Sequence, residues 1–165
     1  MKDKLQNPDI LRFLLTFHIV WLLETKTNTR VTVPGFSVYS NPSKHGQHRG
    51  GIIMLVKSCL VRFVKKVDLS YEGQIWLELT CFPEFIFGGV YIPPDDSMYY
   101  DVSQFGFLSA NVHDRKRVIV MGDFNARVGT PLVPDTSDSP LSYVGVKDVS
   151  VNGHGRRLLD VCMSN

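Results

Sequence analysis

Apolar runs of five to eight residues, broken at short intervals by glycine, proline and small polar residues, set the pattern of this chain. "FHIVWLLE" (17–24) is too rich in branched and aromatic residues and too continuously apolar for a surface helix, so it predicts a buried strand ending at Glu24. "VPGFSVYSN" (33–41) and "GGIIMLVKS" (50–58) predict two further strands, each preceded by turn-forming Pro or Gly. "CLVRFVKKVDL" (59–69) and "GQIWLELTCF" (73–82) alternate well enough for a half-buried pair around a turn at Tyr71 to Gly73. "EFIFGGVYIPP" (84–94) is another buried strand, stopped by two prolines, and "RVIVMGDF" (117–124) reads as a fully buried one.

Helical spacing is rarer. Residues 5–15 predict a short helix, and "SMYYDVSQFGFLSANVHD" (97–114) places Tyr100, Phe107, Leu108 and Val112 on one helical face, weakened by Gly106. "NGHGRRLLDVCMSN" (152–165) predicts a closing helix with Asn152 or Gly153 as cap and an apolar stripe at Leu158, Leu159 and Cys162. Residues 129–151, rich in Pro, Ser and Asp, predict a long surface loop. Strands outnumber helices and do not alternate strictly with them, which implies packed sheets with helices outside and argues against a doubly wound parallel sheet.

Composition changes this picture little. A chain of 165 residues, 44% hydrophobic and 21% charged, fits one globular domain. Its 18 basic and 16 acidic residues leave a net charge of +2, so bulk charge does not announce a nucleic-acid binder. The basic residues do cluster at 44–51, 61–66 and 113–117, which allows local positive patches as well as ordinary solvated loops and strand ends. Three cysteines without CxxC or Cys/His spacing indicate neither a zinc site nor a disulfide framework. "FLLTFHIVWLL" (13–23) is about half the roughly 20 residues a membrane helix requires. With no secretory signal pattern at the N-terminus, the expectation is an intracellular protein without a membrane partner.

Three of the expected strands end in polar residues that a buried strand does not need: Glu24, Tyr91, and Asp123 with Asn125. If these strands are neighbours with their ends at one edge, the four side chains converge on a set suited to phosphate-ester hydrolysis. Glu24 is a hard oxygen ligand for Mg²⁺, leaving most of the ion's sites to water and substrate. Asp123 is placed to deprotonate an attacking water. Asn125 can donate to a phosphate oxygen or fix the Asp123 carboxylate, and Tyr91 can hydrogen-bond the phosphate as charge develops. The same residues also fit plainer roles: Asp-x-Asn after glycine is good turn chemistry, Glu24 a solvated strand end, and Tyr91 core packing. His45, His48, His113 and His154 sit in polar loops without ligand spacing, and His18 in an apolar run, so no histidine joins the set.

"LLETK" (22–26), "RGGIIMLVK" (49–57), "GGVYIPPDDS" (88–97), "GDFNARVG" (122–129) and "NGHGRRLLDVC" (152–162) follow the order and approximate spacing of the endonuclease/exonuclease/phosphatase superfamily. Within it, the chain resembles the apurinic-endonuclease-type domain of non-LTR (LINE-like) retrotransposons and their craniofacial-development-protein-2-like derivatives. The resemblance implies a DNase I-like, four-layered α/β sandwich of two mainly antiparallel sheets with outer helices, and Mg²⁺-dependent DNA cleavage, with Mn²⁺ as an alternative ion. It puts the metal ligand at Glu24 and the catalytic set at Tyr91, Asp123 and Asn125, with Arg127, Arg156 and Arg157 available to DNA phosphates.

The family's first-strand Asn, a later Asp and a final Ser-Asp-His have no counterparts here; Asn7 lies in the wrong context, and His154 and Asp160 belong to a helix start. The implied picture is a single domain over 1–165, incomplete at both ends and catalytically impaired, with DNA as partner, no organic cofactor, and an intracellular or nuclear setting. The alternative is a non-catalytic DNA-binding or interaction module that uses these arginines together with Arg115, Lys116 and Arg117. An inositol-phosphate or lipid phosphatase is a third reading.

Overall fold

A computed structural model describes residues 5–26, 30–44, 50–112, 117–129 and 150–164. Helix α1 (Pro8–Leu14) opens the fold, with Asn7 as its cap: the Asn7 carboxamide oxygen accepts from the backbone N–H groups of Asp9 and Ile10, and Pro8 takes the first turn. Strands β1 (Ile19–Leu23), β2 (Phe36–Asn41) and β3 (Ile52–Lys57) form an antiparallel sheet in the order β1-β3-β2. Strands β4 (Val64–Asp68), β5 (Gln74–Leu79), β6 (Phe85–Tyr91) and β7 (Arg117–Asp123) form the second sheet in that order, antiparallel except for the parallel β6–β7 pair. Helix α2 (Ser103–Val112) makes the crossover that a parallel pair requires, and α3 (Gly153–Met163) packs beside it.

Side-chain alternation produces the layers. On β3, Ile53 and Leu55 face α1, packing with Leu14, Val33 and Phe36, while Ile52, Met54 and Val56 face the second sheet. That sheet answers with Ile75, Leu77 and Leu79 of β5. Its far side carries Trp76 and Val90 against Phe105 and Leu108 of α2 and Leu158 and Val161 of α3. A strand with both faces covered has no solvent side, which is why "IIMLV" contains no polar residue. The result is four layers, helix, sheet, sheet and helices, as expected.

The sheets approach closely where Trp21 of β1 lies on Gly89 of β6; a Cβ at Gly89 would overlap the indole ring. Neighbouring Gly88 is similarly covered by Trp76 on the other side, so the "GG" of "FGGVY" is a place where two tryptophans need room.

Several expectations change. Ser58–Phe63 is a 3₁₀ helix where the sequence predicted the last residue of one strand and the start, from Cys59, of the next: the chain crosses from one sheet to the other here, and Leu60, Val61 and Phe63 close the end of the inter-sheet core. Strand β7 is not fully buried. It lies at the edge of its sheet, with Val118 and Val120 under the helices but Ile119 and Met121 on a face that the three-stranded sheet covers only in part. In α2 the buried positions are Gln104, Phe105 and Leu108, whereas Phe107 is exposed enough to stack on Tyr71, with ring centroids 4.2 Å apart. The inner stripe of α3 is His154, Leu158 and Val161, with Cys162 exposed. Residues 130–149 of the expected loop lie outside the described residues, as do Arg115 and Lys116. No helix among the described residues is long and apolar enough to cross a membrane.

Candidate functional site

The ends of β1, β6 and β7 meet, though not as three neighbours in one sheet. Glu24 comes from the three-stranded sheet, and Tyr91 and Asp123 from the other; the sheet-to-sheet packing brings them together. The Tyr91 hydroxyl donates to Glu24 Oε1 at 2.6 Å. Tyr91 and Asp123 are register partners in the parallel β6–β7 pair, so their side chains leave the same face of the sheet at the same level. Just beyond, the Ile92 N–H donates to the Asp123 carbonyl at 2.9 Å and prevents the strand ends from splaying.

Electrostatics report the same convergence. Burial pushes the Tyr91 phenol well above its ordinary value of 10, and the hydrogen bond to Glu24, the charge of Glu24 and the charge of Asp123 push it further in the same direction. Lys26 partly balances this negative charge, its Nζ lying 3.6 Å from Glu24 Oε2.

The backbone is strained at these positions. Glu24, Lys26 and Asn125 have φ near +50°, the left-handed region that costs residues with a Cβ about 1–2 kcal/mol each. The strain is held in place by hydrogen bonds. Thr25 and Lys26 donate their N–H groups to the carbonyls of Gly51 and Gly50, so the chain that carries Glu24 stays against the entry to β3.

Asn125 has two anchors. Its backbone N–H donates to Asp123 Oδ1 at 2.9 Å, and its carboxamide Nδ2 donates to the Ile92 carbonyl at 2.9 Å. The turn role read from the sequence is present: an Asx turn presents Asp123, and it is the Asn125 main chain that steadies the carboxylate.

The start of α3 forms the back wall of this turn. Asn152 caps the helix by accepting from the Gly155 N–H at 2.7 Å, accepts from the Arg127 N–H at 2.9 Å with the same oxygen, and donates from Nδ2 to the Asn125 carbonyl at 2.8 Å. Gly155 is needed for this approach, because a Cβ there would overlap the Arg127 carbonyl. His154, expected at the surface or as a satisfied core residue, is fully buried in the first turn of α3. Its Nδ1 donates to the Phe124 carbonyl at 3.0 Å, while Nε2 has no partner. The ring is packed against Tyr100 and Phe105, with ring centroids 4.5 and 5.1 Å away.

Of the three arginines, Arg127 shares a surface depression with Asp123 and Asn125. Arg156 is exposed on the first turn of α3, and Arg157 leans over the Tyr100 ring at 5.8 Å. Arg117 begins β7, at the opposite end of that strand from Asp123, and so cannot join them. Reading the sequence missed Asn41, Gln74 and Gln104. Asn41 Nδ2 donates to the carbonyls of Leu69, Tyr71 and Gln74, tying β2 to the β4–β5 turn. Gln74 donates to the Gln104 carbonyl and accepts from Trp76 Nε1. The available signal was Gln74 two residues before Trp76, a polar residue on a core-facing register.

Among the described residues, no group of three or more His, Cys, Asp or Glu side chains forms a metal cage. Glu24 fits the sparser demand of Mg²⁺, which takes one or two carboxylates and fills its other positions with water and phosphate oxygens. No curated protein matches the chain. Residues 4–158 match the model of the Endonuclease/Exonuclease/phosphatase family, and with nearly the whole sequence covered, the chain belongs to that family.

Proposed function

We propose that this chain is a Mg²⁺-dependent DNA phosphodiesterase-like domain of retroelement descent, using Glu24, Tyr91, Asp123 and Asn125, and slow in turnover as it stands. The family is generally divalent-metal dependent. The observation that carries the reading is the Tyr91–Glu24 hydrogen bond beside the register-matched Asp123. When bound at Glu24, the ion would neutralise charge on the phosphate and the leaving oxygen.

The chain's own groups do the rest. Asp123, exposed and oriented by the Asn125 N–H, accepts the proton of the attacking water. Tyr91, its proton held firmly, offers an O–H to a phosphate oxygen on release from Glu24, and the second N–H of the Asn125 carboxamide does the same. Slowness follows from what faces the phosphate: among the described residues no imidazole does, since His154 is enclosed and His18 precedes β1 at its far end. Groups that act as a unit in catalysis are each worth orders of magnitude.

The retroelement descent rests on "GDFNARVG" and "NGHGRRLLDVC"; a reverse transcriptase reading frame beside the coding sequence would support it. The activity is tested by nicking of supercoiled plasmid. The expected result is single-turnover cleavage well below about 1 s⁻¹, abolished by EDTA, by Asp123→Ala and by Glu24→Gln. Cleavage unaffected by these changes would refute the site, and fast cleavage would refute the slowness. Exposed Arg127 and Arg156 favour a second reading, a DNA-binding module; salt-sensitive binding without any cleavage would select it.

A further inference from the structure

Strand β7 ends the four-stranded sheet, and among the described residues nothing pairs with its outer edge. We infer that a second copy of this chain covers that edge, its own β7 running antiparallel to the first about a two-fold axis at Val120. The inference does not depend on the proposed reaction.

The order of side chains along β7 carries it. Exposure alternates along the strand, so Arg117, Ile119, Met121 and Asp123 share one face, the one on which Gly89, the register partner of Met121, meets Trp21. Ile119 is 39% and Met121 47% exposed, and Met121 closes one side of an apolar groove lined by Phe13, Phe17 and Trp21. A bare edge with such a face invites another strand.

Charge identifies the strand. The face reads basic, apolar, apolar, acidic, so that turned end for end it complements itself. Centred on Val120, the antiparallel pair sets Arg117 opposite Asp123 and Ile119 opposite Met121, each twice. Moving the axis to Ile119 would set Arg117 against Met121, and moving it to Met121 would set Asp123 against Ile119, so the charges select one register. Both are exposed, and among the described residues neither has an ion-pair partner within its own chain; Arg117 lies only loosely over the Phe85 ring, at 6.0 Å.

The main chain agrees with that register. The Arg117 N–H donates to the Glu84 carbonyl, and the Asp123 carbonyl accepts from the Ile92 N–H, so the odd-numbered residues direct their backbone groups toward β6. By alternation Val118, Val120 and Gly122 turn theirs to the free edge. With the axis at Val120, that residue faces its own copy and Val118 faces Gly122 as hydrogen-bonded pairs. The charged and apolar pairs then fall at the non-hydrogen-bonded positions, where side chains come closest. In such a dimer Asp123 sits in an ion pair, which would withhold it from an attacking water.

Sedimentation velocity of the full chain, from about 1 to about 100 μM, tests this. The native chain is expected to pass from monomer to dimer within that range and to stop there, because an isologous contact closes on itself. Ile119→Lys, which sets a charge opposite Met121, should keep the chain monomeric. Arg117→Asp and Asp123→Arg should each weaken the dimer about tenfold or more, and an equal mixture of the two should regain it, since both ion pairs then form across the axis. A native chain that stays monomeric throughout, or that grows past the dimer, would overturn the inference, and neither result needs a variant to fold. A dimer unchanged in an Ile119→Lys protein that circular dichroism shows to be folded would place the contact elsewhere and overturn it too. Folded reversal variants that dimerise alone as the native chain does, or whose mixture regains nothing, would refute the pairing.

Discussion

Tyr91 concentrates more of the site's physics than any other single residue. It is 7% exposed, donates to Glu24, and is matched in register to Asp123. Its proton is retained in the folded chain above pH 10, where an unfolded chain would release it. The stabilisation this provides is complete below pH 10 and is lost as pH rises through the elevated folded-state value. Tyr91→Phe should therefore cost about 1–2 kcal/mol at neutral pH and flatten the alkaline limb of a denaturation series, measured by urea melts between neutral pH and pH 11. An alkaline limb unchanged in the variant would show that other groups govern it.

At this scale the sequence was readable where a polar residue interrupts an apolar run, as at Glu24, Tyr91 and Asp123. It was unreadable where meaning depends on a distant partner: nothing local to Gln104 reveals that Gln74 will hold its carbonyl from 30 residues away.

Secondary-structure elements were legible for a simple reason: strands with both faces covered are written as uninterrupted apolar runs. Edges and crossings were less so. "VIVMG" resembles a central strand in composition, but its place at the margin of the sheet is decided by which strands pair beside it. "CLVRF" alternates like a strand and yet coils, because the chain must change sheets there.

Two predictions belong to elements. Gly89→Ala should destabilise the fold by about 1–3 kcal/mol in chemical denaturation, since a methyl there overlaps the indole and Trp21 must leave its packed position. Asn152→Ala removes the cap of α3 together with its bonds to Asn125 and Arg127, and should cost about 1–2 kcal/mol. It should also lower the nicking rate proposed above, because Asn152 holds the turn that carries Asp123.

For the whole molecule, charge placement matters more than the net of +2. If Arg156 and Arg157 meet phosphates, replacing both with Ala should reduce the slope of log affinity against log salt by about 1–2, read from binding isotherms at several salt concentrations. Arg117→Ala, at the far end of β7, should leave that slope alone.

The division of the site between two sheets has a thermodynamic meaning as well. Glu24 belongs to one slab of the sandwich and Asp123 to the other, and the Tyr91 hydroxyl spans them. Any ligand gripped from both sides binds only while the slabs remain stacked, so its binding energy is added to their cohesion. Mg²⁺ with a short oligonucleotide should then raise the melting temperature in proportion to the logarithm of ligand concentration, and Glu24→Gln should erase the shift. The active edge would thus act as a reversible staple, and melting temperature would become a titration curve for occupancy even in a variant that cleaves nothing.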